Sequence, residues 1–378
     1  MIQPVDNRNH SGKKLPKRPF EDQAGPVPVK DKDKDKDKNK GNGKLALCVN
    51  PMSGRDVRRL AARATNMTHE AKRDIVARVA AGADAAGVTD IYIAREPFRI
   101  ASMALDLMPL KARVHIIDIP LTNSAQDTEV AVKKFKEAGC HTMVSLGGDG
   151  TNRAIARACS DIDLVPISTG TNNVFPALME PTVGGMVAGL NALGLLDQAD
   201  PDLRLKQAVK VLHLRGPHGD DVGLIDAVLI RNDHVGNLLP FDADRLDRMV
   251  LTRAEPNSIG MSPIGGFIDP IYTEDDCGLV VVMDADMGPS SQRVMAPLSP
   301  GLYRDVGVQG TSRVDFDTWV TFVGPGVVAL DGDRDHKLLA AEEIRVCVRR
   351  DGPRVLNVER VMRWAVAAGI MTASSVAD

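Results

Sequence analysis

Between Leu45 and about Ala192 the chain alternates short apolar runs with longer amphipathic stretches. The runs LALCVN (45–50), DIYIA (90–94), ARVHIID (112–118), HTMVSLGG (141–148) and DIDLVPIS (161–168) have the length and content of buried strands, and most of the segments between them carry helical spacing. This rhythm predicts a parallel sheet with helices on both faces, and in such sheets ligands bind beyond the carboxyl ends of the strands. Three of those ends run into polar or Gly-rich loops, VNPMSGRD (49–56), LGGDGTN (146–152) and ISTGTNNVFP (167–176). All three are expected on one edge.

After about Gln207 the pattern changes to strand-like runs separated by turns, AVKVLHLRG (208–216), VGLIDAVLIR (222–231), GLVVVMD (278–284), TWVTFVG (318–324), GVVALDGD (326–333) and EIRVCVRR (343–350), which predicts a mostly antiparallel β domain with Trp319 and Phe322 in its core. A final stretch, VERVMRWAVAAGI (358–370), places Val358, Val361, Met362, Ala365, Val366 and Ile370 at helical spacing, so a closing helix is expected to pack back on the body. Residues 1–44 hold 12 Lys or Arg and 7 Asp or Glu with almost nothing to bury, and are expected to be a disordered tail. The expected organisation is thus a charged tail (1–44), an α/β domain (45–200), a β-rich, sandwich-like domain (201–355) and a C-terminal helix and tail (356–378).

The stretch MVSLGGDGTNRAIARAC (143–159) reads as a strand, a tight turn and a helix N-terminus. Glycines at 147, 148 and 150 let the backbone approach a ligand, and the free N–H groups of the helix start favour an anion there. Asp149 is then a carboxylate where a phosphate should bind, which is costly unless it takes a proton or holds a metal. Phosphoryl transfer resolves the conflict, because an Asp beside the acceptor hydroxyl takes its proton while glycine amides and a metal ion hold the phosphate. A simple strand-to-helix turn capped by Thr151 is the structural alternative.

Composition narrows the remaining classes. The chain of 378 residues carries a net charge of −3, and a tail of +5 leaves the rest at −8, which disfavours nucleic acid as a partner. No run approaches the roughly 18 apolar residues of a membrane span, and the N-terminus lacks an apolar signal-peptide core. The five cysteines, 48, 140, 159, 277 and 347, show no CxxC spacing, so the reducing cytoplasm is the expected location. The histidines have no metal-ligand spacing. In LDGDRD (330–335), Asp-Gly is a hairpin signal, and the clustered carboxylates Asp331 and Asp333 are also candidates to hold Mg²⁺.

Taken together, NPMSGRD, GGDGT, ISTGTNN and ALDGD resemble the marks of the superfamily that joins NAD kinases with diacylglycerol and sphingosine kinases, and the combination of NPMSGRDVRRL (50–60) with GTNNVFP (170–176) most resembles its acetoin-catabolism protein X family. EPNSIGMSPIGGFIDP (255–270) and MAPLSPGLYRD (295–305) are similar to NAD-kinase segments of the second domain, although Gly301 stands where that pattern has a histidine. The resemblance implies an α/β domain followed by a β-sandwich, and an ATP- and Mg²⁺-dependent kinase acting on NAD⁺ or NADH. It implies Asp149 as general base and Asn50, Ser53, Gly54, Arg55, Gly147, Gly148, Gly150 and Thr151 as phosphate-facing residues. Thr169, Thr171, Asn172, Asn173, Ser258 and Ser262 are the implied acceptor contacts, and small-molecule nucleotides and a second copy of the chain the implied partners. A lipid kinase and a non-catalytic nucleotide sensor are the rival expectations; low aromatic content and the absence of a basic amphipathic helix speak against the first.

Overall fold

A computed structural model of the chain describes residues 41–55, 66–237, 242–289 and 291–372. The charged tail lies outside these residues except for its last four, and so does most of the RDVRR stretch that follows the first loop. The fold begins slightly before the expected boundary. Gly43 N–H donates to Ala192 O, the Asn42 side chain donates to Gly139 O, and Lys44 is already the first residue of a strand.

The first layer contains strands β1 (Lys44–Val49), β2 (Asp90–Ala94), β3 (Arg113–Ile117), β4 (Thr142–Gly147) and β5 (Asp163–Ser168), alternating with helices α1 (His69–Ala86), α2 (Ile100–Leu105), α3 (Ala125–Glu137) and α4 (Asp149–Ala158), and followed by α5 (Pro181–Ala192). The second part comprises β6 (Lys206–Ala208), β7 (Val211–Gly216), β8 (Gly219–Gly223), β9 (Asp226–Ile230), β10 (Leu246–Leu251), α6 (Ser262–Gly266), β11 (Cys277–Met283), β12 (Gln292–Ser299), β13 (Leu302–Asp315), β14 (Val320–Val323), β15 (Gly326–Leu330), β16 (Asp333–Leu338) and β17 (Glu343–Arg349), before β18 (Arg354–Leu356) and α7 (Val358–Ala367) end the described chain.

The first sheet has the order β3-β2-β1-β4-β5-β18-β6; β1 to β5 and β18 are parallel, and β6 pairs antiparallel with β18. Alternate side chains of these strands serve two cores. Leu45, Leu47, Ile91, Ile93, Val144 and Val165 face α1, α2, α5 and α7, whereas Ala46, Cys48, Met143 and Leu164 face α3 and α4. The α/β domain is not one continuous segment. β18 inserts beside β5, with Arg354 opposite Asp163, and α7 adds Val361 and Ala365 to the first core. The boundaries expected near 200 and 355 therefore shift, because β6 and β18 belong to the first sheet.

A seven-stranded sheet, β12-β13-β11-β10-β9-β15-β16, and a four-stranded sheet, β14-β17-β7-β8, form the sandwich. Leu212, Leu214, Leu229, Val250, Val328, Phe322, Ile344 and Val346 fill the space between them. Phe322 is in the core as expected, whereas Trp319 is half-buried just before β14, with Arg215 stacked 4.9 Å from its ring centroid.

Candidate functional site

The strand order places the topological switch between β1 and β4, where the chain leaves the sheet in opposite directions and opens a crevice at the strand ends. A cavity of about 380 Å³ occupies it, lined by the loops after β1, β4 and β5 and closed by the β15–β16 turn and the loop before α6.

The loop after β1 is held by its own asparagine. Asn50 Oδ1 accepts from Met52 N and Ser53 N, and Asn50 Nδ2 donates to Thr151 Oγ1 at 2.7 Å, joining this loop to the GGDGT turn. Lys72 of α1 is fully buried and its Nζ donates to the carbonyls of Asn50 and Pro51 at 2.9 and 2.7 Å. The Ser53 and Thr169 hydroxyls share a 2.7 Å hydrogen bond that braces the first loop against the third.

After β4, Gly147 and Gly148 turn the chain directly into α4. A Cβ on Gly147 would sit 2.4 Å from Thr151 Cβ, so only glycine admits the approach there, while one on Gly148 would press on the Asn173 side chain, 2.7 Å from its Oδ1. Asn152 holds the turn by donating to Gly148 O and accepting from Ser145 Oγ. No side chain caps the start of α4, which leaves its first amides directed at the cavity edge.

Asp149 is the first residue of that helix and is 9% exposed. Its Oδ1 accepts from Phe175 N at 2.8 Å, and its Oδ2 from Val174 N at 3.0 Å. Burial pushes its carboxyl up to about 7; the nearby Asp331 carboxylate raises it further, while the two amides and Arg253 oppose the rise. The carboxyl therefore changes protonation near neutral pH, as a general base requires.

The β domain supplies the opposite wall. Asp331 and Gly332 both have positive φ, 50° and 87°, and form a two-residue hairpin turn between Leu330 and Asp333. The Asp331 carboxylate accepts from the amides of Leu224, Ile225 and Asp226. Burial raises it above the usual carboxylate range, against the pull of Arg153 and those amides. Arg153, one turn along α4 from Asp149, donates to Leu330 O at 2.9 Å and pairs with Asp333 and Asp335 at 3.1 Å. The GGDGT helix is thus anchored directly to the β domain.

The expected residues divide into two groups. Asn50, Ser53, Gly54, Gly148, Asp149, Gly150, Thr151, Thr171, Asn172, Asn173, Asp331 and Asp333 line the one cavity. Gly147 lies behind it, and Thr169 is 1% exposed and engaged with Ser53. Arg55 is exposed and does not line it. Ser258 donates to Glu255 O, while Ser262 donates to Arg253 O and accepts from Glu255 N; both hydroxyls shape their own loop, and its residues Ile259, Gly260 and Met261 line the cavity instead. Lys72, Arg153, Asp226 and Arg253 were not expected. Asp226 carries the clearest signal in the sequence, a carboxylate inside the apolar run GLIDAVLI, where burial demands a partner or a ligand.

Asp331 and Asp333, the expected Mg²⁺ ligands, both have partners within the protein. One is committed to three backbone amides and the other to Arg153, and among the described residues no group of three or more His, Cys, Asp or Glu is placed to hold a metal ion. Nor, among the described residues, is any helix long and apolar enough to cross a membrane.

The α/β layer thus carries a Gly-rich turn with a buried carboxyl at a helix start, and an antiparallel β domain faces it. Residues 48–192 match the ATP-NAD kinase N-terminal domain family, and residues 210–351 match the acetoin catabolism protein X C-terminal domain. The chain is 30% identical over 331 residues to acetoin catabolism protein X of Cupriavidus necator, spanning 85% of this chain and 92% of that protein. It belongs to the acetoin catabolism protein X family. Among solved structures, the yeast NADH kinase complexed with NADH aligns with a TM-score of 0.49 and 13% identity, over 89% of this chain and 90% of that one. An NAD kinase from Archaeoglobus fulgidus in complex with ATP aligns with a TM-score of 0.33 and 15% identity, over 73% and 96%.

Proposed function

We propose that this protein is a phosphotransferase that moves the γ-phosphoryl group of Mg-ATP to a hydroxyl of a nucleotide-type acceptor, the adenosine 2′-hydroxyl of NAD⁺ or NADH, giving NADP(H). The observation that carries this reading is the Asp149 carboxyl, buried, poised near neutrality and set one residue after a glycine turn with free helix amides. Its match to the NAD kinase N-terminal domain family over residues 48–192 supports the same chemistry.

Asp149 takes the proton of the acceptor hydroxyl as its oxygen bonds to the γ-phosphorus; the bond from that phosphorus to the β-γ bridging oxygen breaks, and ADP leaves. The amides at the start of α4 and the small residues of the Asn50–Gly54 loop receive the donor's phosphate oxygens, and Mg²⁺ enters with ATP as part of the substrate. Positioning and fixed dipoles supply most of the rate. The loop at Thr171 to Asn173 faces the acceptor. A role in acetoin breakdown, after the name of the Cupriavidus relative, is part of this proposal.

The test is incubation of the purified protein with Mg-ATP and, separately, NAD⁺, NADH or a sphingoid and diacylglycerol mixture, with NADP(H) and ADP assayed and Asp149→Asn as control. NADP(H) made by the wild type and lost in the variant supports the reading. ADP formed only with the lipid moves the protein to a lipid kinase, and nucleotide binding without product makes it a sensor. Because the base must be ionised, kcat/KM should rise with pH through about 7; a flat profile between pH 6 and 8 would refute the role of Asp149.

A further inference from the structure

The first sheet ends on β3, which among the described residues pairs with β2 alone. Along a strand the backbone N–H and C=O groups of one residue point to one neighbour and those of the next residue to the other. Arg113 N–H donates to Thr89 O at 2.9 Å and Ile117 O accepts from Arg95 N–H at 2.9 Å, so residues 113, 115 and 117 turn their backbone groups toward β2. Val114 and Ile116 therefore turn theirs outward, and the edge offers two donors and two acceptors in a row.

Nothing in this strand blunts that edge. Natural sheets guard open edges with proline, lysine or a bulge, whereas β3 reads RVHII and keeps an unbroken register with β2. Val114 and Ile116 are 37% and 46% exposed and lie in register beside Ile91 and Ile93, on the face whose inner part α2 covers with Ala101 and Leu105. Met103 of α2 and Leu107, two residues past its end, are exposed on the same side of the sheet. An apolar strip that ends in free backbone groups is built to receive another strand.

The strand's own charges select the occupant. Arg113 at its start and Asp118 just past its end have side chains 76% exposed, and Lys111 adds a second exposed positive charge at the start. An antiparallel second copy sets the positive start of each strand against the negative end of the other. The free backbone groups also fix the register. Centred on His115, the pairing places Val114 opposite Ile116 of the second copy twice and closes four N–H···O=C bonds. A slip toward the start would need Ala112, whose N–H already donates to Asp84 Oδ1 at 2.7 Å, and a slip toward the end would need Asp118, whose carbonyl already accepts from Lys134 Nζ at 3.0 Å.

We propose that β3 is a homodimer interface, at which two copies of this chain join antiparallel through Val114 and Ile116, about an axis at His115, into one continuous sheet. The apolar strips of the two copies, Met103 and Leu107 included, then meet on one face of that sheet. The two cavities open at opposite ends of the dimer, because the strands of the two copies run in opposite directions.

Analytical ultracentrifugation of the full chain is the test, with two substitutions at one position. Ile116→Pro removes an outward N–H and leaves the ladder to β2, which uses residues 113, 115 and 117; Ile116→Lys, a guard that natural edges use, keeps the test if proline prevents folding. The wild type is expected to sediment as a dimer or a multiple of one, and the variants, with unchanged circular dichroism, at half its mass. A disulfide reads the register. Across the axis the two His115 Cα atoms lie about 4.5 Å apart, within disulfide reach. With oxidised glutathione, His115→Cys should form an interchain disulfide, whereas Arg113→Cys, opposite Ile117 rather than itself, should not. Neither should the wild type, whose cysteines are buried except for the half-buried Cys277. A monomeric wild type, a mass that neither folded variant lowers, or crosslinking of Arg113→Cys as strong as that of His115→Cys overturns the assignment.

Discussion

Replacing Asp149 by asparagine should change stability by an amount that grows with pH. In the unfolded chain an aspartate ionises near 3.9, whereas burial in the fold pushes Asp149 up to about 7. Between those values the native state holds a proton that the unfolded state lacks, so native stability falls as pH rises through this window. Three tenfold steps in proton affinity, at about 1.4 kcal/mol each, correspond to about 4 kcal/mol, fully present below pH 4 and lost as pH passes 7. Asparagine has no such dependence. It keeps the oxygen that faces Phe175 N at 2.8 Å but turns an amide nitrogen toward Val174 N, 3.0 Å from Oδ2, at a cost of about 1 kcal/mol. Asp149→Asn is therefore expected to be about as stable as the wild type near pH 5, where the wild type has already lost about 1.5 kcal/mol, and more stable at pH 8, by about 3 kcal/mol. Urea unfolding at pH 5, 6, 7 and 8, at constant ionic strength and with the m values compared, measures the difference. Parallel stability curves, or a variant that loses ground as pH rises, would refute the buried, proton-holding Asp149.

Three further outcomes are expected. Arg153→Met should cost about 3 kcal/mol in urea unfolding, because the buried guanidinium links Leu330 O, Asp333 and Asp335 to α4; a loss under about 1 kcal/mol would mean that α4 is anchored without it. Gly147→Ala should lower kcat/KM by at least about tenfold, since its Cβ would lie 2.4 Å from Thr151 Cβ, an atom that no rotamer moves; wild-type kinetics would show that the turn is looser than drawn. Lys72→Met should raise the KM for ATP about tenfold by freeing the carbonyls of Asn50 and Pro51 that position the first loop, and an unchanged KM would remove that loop from the donor site.

Much of this was legible in the residue pattern, and the misses have physical causes. β1, β2, β4 and β5 announce themselves because both of their faces are largely buried, so apolar residues run together. β6 and β18, three residues each, are too short to carry any periodicity, and their place in the first sheet depends on partners about 145 residues apart. β13 is long but holds Gly307 and Gly310 and several charged residues on its exposed face, so it did not read as a strand. The gathering of the three loops on one edge follows from strand parallelism and was anticipated. The orientation of single hydroxyls was not: Ser258 and Ser262 are the residue types that an acceptor site would use, yet both close hydrogen bonds within their own loop. Arg153 sits in the helical pattern like any surface arginine, and only the β15–β16 turn arriving from 177 residues away makes it an anchor.

The return of β18 and α7 to the first sheet also sets a timetable. During synthesis, β1 to β5 leave the ribosome well before β18, which adds to their sheet, with roughly 185 residues in between. At about 5–20 residues per second, that is about 9–37 s in which the faces destined for Val361 and Ala365 stay open to water. The nascent chain can close its sandwich before its first sheet is complete, and that sheet gains its last strands only once β18 has been made.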